Sequence, residues 1–504
     1  MTSEQGPQRP SATTTRSMRI AGGVVGALVV VEITSGVLQG YYTPLFTDVA
    51  RRLGINDADI NWLEALQLLV SAIVVPVLAR LGDILGHRRV LLGSLAVTAL
   101  ASWAVAVAPT FPLFLLAWSL QGFYVVWLPL NVAIIYSRAR RLHAADPTAD
   151  VPATTRRATG VIVVALQAGA IGGALLAGQL GTLLAGSLTL VLAVPALLVT
   201  AALVVVWRLV PDTGDRAGGA IDTRGAVVLS LSLLAVTGGL SLVRVDGVTL
   251  WVGLLVAAGL ALGWLFVRLE QRTDAPLIDI ALVRRPTLWP VFLTAGLFGV
   301  SVLGAQGPLS TFVRTDPGIH GYGLGLTSAT ASYVIGAYVF SLLIGAGLFA
   351  RISAALTPRV VLIAASTLVA IGYLSLIGLH GSVVSVVACM VVAGLGSGAL
   401  VAALPAAAAA AAPADRTAMA TGLTNTTKTV GGSFASSAFA LALASGVVVA
   451  GAGTPGTADA GTAASMSGYI TVWAICGGTA ILAIVALLTV PKVAFTAVPA
   501  DAVA

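Results

Sequence analysis

Ala79-Arg80-Leu81-Gly82-Asp83-Ile84-Leu85-Gly86-His87-Arg88-Arg89-Val90-Leu91 packs an acid, three arginines and a histidine into one short stretch between two runs that are almost wholly apolar. The surrounding chain decides how it is read. Of 504 residues, 58% are hydrophobic and 9% charged, and the mean hydropathy is +0.98. Soluble domains carry about 25% charged residues. Apolar runs of about 20 residues match the thickness of a bilayer core, and here they recur from end to end. The chain therefore reads as an all-α polytopic membrane protein, and the charged stretch as a turn between two spans. Helix is the spanning structure because the runs lack the two-residue alternation of barrel strands. The 56 glycines suit helices packed closely in lipid.

Fourteen spans are expected, at 20–46, 61–80, 90–109, 112–137, 158–184, 188–207, 225–243, 250–267, 288–312, 325–349, 360–379, 382–405, 419–450 and 468–490. The first run is too long for a signal-peptide core and no small-residue cleavage site follows it, so it counts as a span. Residues 1–19, rich in Ser, Thr and Pro, read as a disordered tail; 491–504 form a second tail, and 138–157 a solvated basic linker. Arg51, Arg52, Arg244 and Arg314 fall on the side opposite the N-terminal tail, Lys428 within a span, and every other basic residue on the tail side. Cytoplasmic loops are the ones enriched in Lys and Arg. Both termini are therefore expected in the cytoplasm, with the protein in the cell membrane. The +7 net charge is an orientation signal and calls for no nucleic-acid partner.

The charged turn has an echo. Ala350-Arg351-Ile352-Ser353-Ala354-Ala355-Leu356-Thr357-Pro358-Arg359-Val360-Val361-Leu362 aligns with it without a gap, Arg80 meeting Arg351, Arg88 meeting Arg359 and Val90-Leu91 meeting Val361-Leu362. Each copy joins the second and third spans of a six-span block. The expected organisation is a bundle at 20–207, two inserted helices at 225–267 and a second bundle at 288–490. Parallel repeats of this kind underlie carriers that rock two halves about a central site.

On these residues the chain resembles the major facilitator superfamily, and within it the fourteen-span drug:proton antiporter family. Leu81, Gly82, Asp83, Gly86, Arg88 and Arg89 match the family's loop between spans 2 and 3, with Ala79 in place of a leading Gly and His87 in place of an Arg. Glu270-Gln271-Arg272 and Ala275-Pro276-Leu277-Ile278 resemble its segment after span 8. Asn425-Thr426-Thr427-Lys428-Thr429-Val430-Gly431-Gly432 resembles a stretch of span 13 that usually holds Arg at the position of Lys428. Two positions depart from the pattern. Trp118-Ser119-Leu120-Gln121-Gly122 lacks the Arg that the superfamily's exporters carry in span 4, and Gly169-Ala170-Ile171-Gly172-Gly173 lacks the Pro they carry in span 5.

The resemblance implies a major facilitator fold, two six-helix bundles plus two inserted helices. It implies proton-coupled export of amphipathic organic compounds (drugs, antibiotics or natural products) by alternating access, as in multidrug efflux and antibiotic resistance. The alternative is an importer, or a lipid or metabolite flippase, without standard proton antiport. The resemblance also links the first charged turn to conformational switching, so Asp83, Gly86, Arg88 and Arg89 are expected to form a latch; the other reading is an anchor that only fixes orientation. Ala354 stands opposite Asp83 in the second copy, so the latch is expected to be asymmetric.

Among polar residues inside spans, Glu32 stands out, lying near the bilayer midplane by its distance from Arg19. An acid at that depth is expensive and is by default a functional hypothesis. Glu32 is the expected proton-coupling group; the structural alternative bonds it to Thr34 or Tyr41. Glu64, at the start of span 2, is either interfacial or a relay. Lys428 pairs with Glu32, contacts substrate, or snorkels to the interface. Gln39, Tyr41, Gln121, Tyr124, Trp127, Asn131, Gln167, Gln306, Tyr333, Tyr338 and Asn425 supply hydrogen bonds and aromatic faces to an otherwise apolar wall, which suits amphipathic small molecules, although helix packing also explains each one alone.

No phosphate-binding Gly-x-x-x-x-Gly-Lys-Ser/Thr sequence occurs, so no ATP-binding domain is expected. The four histidines (His87, His143, His320, His380) read as loop residues without metal-ligand spacing. Cys389 and Cys476 read as small core residues. Neither metal nor cofactor is expected; the expected partners are a small amphipathic substrate, protons and membrane lipids. A membrane-embedded enzyme would need a convergent polar cluster in a loop, and the sequence offers none. A transporter-like receptor is the remaining rival.

Overall fold

The structure, a computed structural model, describes residues 12–145, 151–184, 186–212, 222–246, 249–273, 276–303, 305–352, 356–412, 417–444 and 463–489. Among these residues the regular structure is entirely helical. In chain order the helices are α1 (Ala12–Gly40), α2 (Phe46–Leu53), α3 (Ile60–Leu85), α4 (His87–Val107), α5 (Phe111–Gln121), α6 (Trp127–Ala145), α7 (Val151–Leu183) and α8 (Leu188–Leu209). Then come α9 (Thr223–Asp246), α10 (Leu250–Glu270), α11 (Ile280–Val283), α12 (Trp289–Leu303), α13 (Gln306–Arg314) and α14 (Pro317–His320). The series closes with α15 (Ser328–Ile352), α16 (Pro358–Leu376), α17 (Val383–Ala411), α18 (Thr417–Ala444) and α19 (Met466–Thr489).

Among the described residues thirteen stretches are long and apolar enough to cross a membrane. The fourteenth expected span corresponds to α18, which at 28 residues has the length but carries Asn425, Thr426, Thr427, Lys428 and Thr429. Successive spans alternate in direction, so each has a near end, on the side where α1 starts, and a far end, where α1 finishes.

Several expected boundaries move, each for a local reason. With no Gly or Pro between Ala12 and Ala21 to stop it, α1 begins at Ala12, inside the expected tail; residues 1–11 and 490–504 lie outside the described residues. The basic linker shrinks because α6 continues to Ala145 and α7 starts at Val151. Arg138, Arg140, Arg141 and Leu142 all favour helix, and Pro152 falls in the first turn of α7, where its missing N–H costs nothing. Span 4 is not continuous: Gly122–Val126 form a 3-10 segment between α5 and α6. A Cβ on Gly122 would stand 2.6 Å from the Gln67 carbonyl oxygen of α3, and Ser71 Oγ donates to the Gly122 carbonyl at 2.9 Å. Span 9 corresponds to α12 and α13, on either side of residue 304, which lies outside the described residues; α13 carries Pro308 in its first turn. His87 opens α4, His143 lies in α6 and His320 ends α14, so these three are helical and not loop residues.

Among the described residues two large apolar cores form, beside two small clusters. One is drawn from residues between Val24 and Val210; the other from residues between Leu282 and Leu487, with Ala58 added from the turn before α3. The same pairings recur in both. α1 packs on α7 as α12 packs on α18, and α4 on α8 as α16 on α19. The first pairing is tight because glycines interlock. A Cβ on Gly36 would fall 1.9 Å from the Leu166 carbonyl oxygen, and one on Gly169 2.2 Å from that of Ile33. In the second half, a Cβ on Gly299 would fall 2.0 Å from the Lys428 carbonyl oxygen, and one on Gly431 2.0 Å from that of Gly296. Without a hydrophobic drive between helices in lipid, such backbone approach is what brings them together. The halves meet through α3 on α18 and α7 on α15, while α9 and α10 pair with each other and α9 also touches α18 and α3.

Candidate functional site

Glu32 lies on α1 with no exposed surface. Asn131 of α6 donates from Nδ2 to Glu32 Oε1 at 2.7 Å, while Glu32 Oε2 has no hydrogen-bond partner. Neither Thr34 nor Tyr41 is its partner: Thr34 Oγ1 donates to the Val30 carbonyl at 2.8 Å and Tyr41 Oη to the Val191 carbonyl at 2.7 Å. Among the described residues Glu32 and Lys428 form no ion pair. Buried polar atoms usually have a partner, and Glu32 Oε2 is one of several among the described residues that lack one.

The other expected cavity residues divide into two groups. Gln121 is buried and donates to Tyr42 Oη and Ser102 Oγ, both at 2.9 Å. Trp118, at the position of the missing Arg, stacks among Tyr42, Phe46 and Phe114. Tyr124 packs edge-on against Trp127, whose ring is fully buried. Tyr41 belongs with this group, as does Tyr338 in the second half, buried beside Ser397. In the described state these side chains are held inside a bundle. The second group is open: Gln39 and Tyr333 are exposed, and Gln167, Gln306, Asn425 and Lys428 half-buried. Gln306 Nε2 donates to the Val302 carbonyl at 3.0 Å, and Tyr333 Oη accepts from Gln179 across the α7–α15 seam at 3.0 Å.

Glu64 sits on that dividing surface too. It lies on α3 with Oε2 buried and unpartnered, directly against Gly307 of α13 in the other half. It is thus part of the contact between the halves.

The side-chain bonds that join the halves cluster toward the far end. Arg314 of α13 clamps Asp48 of α2 with two bonds, at 2.8 and 2.7 Å, and also donates to the Pro44 carbonyl at 3.2 Å. Ser310 donates to the Thr43 carbonyl, Ser433 to that of Ala65 at 2.9 Å, and Ser328 to that of Gly178 at 3.4 Å. Sequence reading missed this lock. Its one visible signal was Arg314, a basic residue on the sparsely charged side.

The near-end turn works within a half. Gly86 takes φ 100°, open to glycine without strain. Asp83 pairs with His87 Nε2 at 3.2 Å and Arg80 Nη1 at 3.7 Å. Arg88 donates to the carbonyls of Val210 and, at 2.9 Å, Trp207, where α8 ends; Arg89 pairs with Asp212 at 3.3 Å. In the second copy Arg359 donates to the Leu488 carbonyl at 2.6 Å, where α19 ends. Aligned arginines therefore cap the last helix of each half, a favourable place for positive charge. Ala354, opposite Asp83, lies outside the described residues.

Two repeated helical halves joined across a seam, with an acid buried in one and a lysine beside the seam, define a pseudo-symmetric polytopic membrane protein. The sequence pattern of the Major Facilitator Superfamily matches residues 28–436, and the chain belongs to that family. An uncharacterized MFS-type transporter of Mycobacterium tuberculosis is 30% identical over 64% of this chain and 46% of its own length. The multidrug efflux pump LfrA of Mycolicibacterium smegmatis is 27% identical over 69% and 67%. A multidrug resistance protein B homolog of M. tuberculosis is 28% identical over 64% and 58%. The chain thus spans about half the length of the first of these relatives. Among solved structures, the nucleoside transporter NupG aligns over 94% of this chain and 100% of its own, at 14% identity and TM-score 0.61. The peptide transporter POT with bound sulfate aligns over 95% and 98%, at 14% identity and TM-score 0.65. These likenesses carry the fold.

Proposed function

We propose that the chain is a secondary active transporter that exports amphipathic organic compounds in exchange for protons. The observation that carries this reading is the Glu32 carboxyl, enclosed between α1 and α6, bonded at Oε1 by Asn131 and unpartnered at Oε2. A lone acid deep in the membrane is a proton-relay candidate by default, and Asn131 takes the place that a cation would otherwise occupy. The multidrug efflux relatives support the substrate class and direction.

The positive-inside distribution supports a cytoplasmic near end, with the termini on the same side, in a protein of the cell membrane. On that orientation the Asp48–Arg314 lock closes the outer side. Glu64, against Gly307 in the outer part of the seam, is the second proton-handling candidate, met when the far ends part. Alternating access then consists of opening the far-end contacts while the near ends close. Trp118, packed among aromatics where exporters of the superfamily carry Arg, favours the second reading: an importer or lipid or metabolite flippase without proton antiport.

Glu32→Gln separates the two. It keeps the volume and an acceptor for Asn131 but carries no exchangeable acid. The expected result, in proteoliposomes with an internal pH dye, is loss of substrate-driven proton movement and of uphill export, with substrate binding retained; Glu32→Asp restores part of it. Proton movement equal to the parent protein's would remove Glu32 from the mechanism and favour the second reading.

A further inference from the structure

Gly432 of α18 fixes where Lys428 looks. A Cβ on Gly432 would stand 2.8 Å from Leu303 Cβ of α12 and 3.1 Å from Leu68 Cδ1 of α3. Those two leucines belong to opposite halves, so this face of α18 borders the seam. Lys428 and Asn425 lie four and seven residues before Gly432, the spacing of one helix face. They therefore border the seam on the near-end side of Leu68 and Leu303, and both are half-buried. Lys428 stands about 16 Å along α18 from Thr417 at 1.5 Å per residue, deep for a side chain that would reach the near-end surface.

Among the described residues the Lys428 side chain makes no ion pair or hydrogen bond. The acids that could have balanced it stand elsewhere. Glu32 is enclosed in the first half with Asn131, and Glu64 lies one turn beyond Leu68 toward the far end, against Gly307. Glu270, at the end of α10, accepts from the Ile278 backbone at 3.1 Å. An ammonium at membrane depth with no counter-charge is costly, and that cost falls when an anion arrives beside it.

We infer that Lys428 is the recognition group for an anionic substrate, an amphipathic organic acid whose carboxylate or sulfonate meets the ammonium. Asn425 offers an amide to the same headgroup, and the apolar body lies along the Leu68 and Leu303 side of the seam. Organic cations meet an uncompensated like charge and are rejected, which is selectivity by repulsion as well as attraction. This deepens the export reading by naming the charge of what is carried, and rests on that reading for direction only.

Two xanthene dyes of opposite charge, carboxyfluorescein and rhodamine 6G, test it by fluorescence anisotropy on the full chain in lipid nanodiscs. Wild-type protein is expected to bind carboxyfluorescein at least about tenfold more tightly than rhodamine 6G. Lys428→Gln should lose about tenfold in carboxyfluorescein affinity without losing rhodamine 6G, Lys428→Arg should keep the preference, and Lys428→Glu should invert it. Unchanged helix content by circular dichroism certifies each variant. A wild-type preference for rhodamine 6G, equal binding of both dyes, or undiminished anion binding by Lys428→Gln would each overturn the assignment. Binding in nanodiscs needs no gradient and no turnover. Failure here therefore leaves proton-coupled export standing, and failure of export in a protein that binds the anion leaves Lys428 in place.

Discussion

At the near end Arg88 and Arg89, among the described residues, reach partners of their own half, whereas at the far end Arg314 crosses from α13 to Asp48 on α2 in the other half. The near-end turn is the stretch the sequence advertises, repeated and dense in charge; the far-end lock belongs to no motif. Exposure separates them as well. The Arg314 side chain is 7% exposed, against 55% for Arg89 and 41% for Asp83. Buried bidentate pairs hold more free energy than exposed ones. The contact that keeps this state together is therefore the one without a signature, and the advertised turn braces each half as a unit.

The largest expected effect comes from breaking the lock. Asp48–Arg314 exists only while the far ends meet, so its loss shifts the balance between states. Truncating one member of a buried charge pair costs about 2–5 kcal/mol, and Asp48, 30% exposed, argues for the lower figure. Arg314→Gln should then favour the far-end-open state by about 2 kcal/mol, roughly thirtyfold. Spin labels on Thr110→Cys and Ser382→Cys, exposed far-end positions in opposite halves, report this directly, since both native cysteines are buried. A longer distance component is expected in Arg314→Gln and its disappearance in the exchanged pair Asp48→Arg with Arg314→Asp. An unchanged distribution would mean that the lock is ornamental to the equilibrium.

The braces come next. Arg88 and Arg359 place positive charge on the terminal carbonyls of α8 and α19, an interaction of about 1 kcal/mol. Replacing either by Gln should lower the thermal midpoint in detergent without moving the far-end distance distribution, with the larger drop at Arg88, which meets two carbonyls. A shift in the distance distribution from Arg88→Gln would show that the turn acts between halves after all.

How much of this was legible in the sequence follows physical range. Hydropathy over about 20 residues is a local property, so the spans could be read, and the gap-free echo of Arg88 in Arg359 foretold two equivalent turns. The break at Gly122 could not, because the close approach there is to the Gln67 carbonyl of another helix. Tyr41 and Gln121 look like cavity residues in a helical pattern, yet their partners, Val191 and Tyr42, turn them into the packed interior. Asn131 and Glu32 were both visible as polar residues in spans, but a separation of 99 positions hid that they meet. Asp48 and Arg314, 266 positions apart, had no periodicity to betray them.

The smallest effect is expected at Asp83, and it tests whether the turn does more than brace. In the described state Asp83 faces its own turn, paired with His87 and, loosely, with Arg80. An exposed pair of this kind contributes at most about 1 kcal/mol, so Asp83→Asn should insert normally and keep its far-end distances. If the near ends close during the cycle, however, the exposed carboxylate is free to meet the opposite half, and its loss destabilises only the closed arrangement. A bias of up to 1 kcal/mol is about a fivefold change in population. Transport should slow by a few-fold at saturating substrate while binding affinity stays put, because the seam around Lys428 is untouched. Initial rates across substrate concentration, beside equilibrium binding of the same substrate, make the measurement. Parent-like rates would reduce Asp83 to an anchor and leave the far-end lock as the contact that sets the state of the molecule.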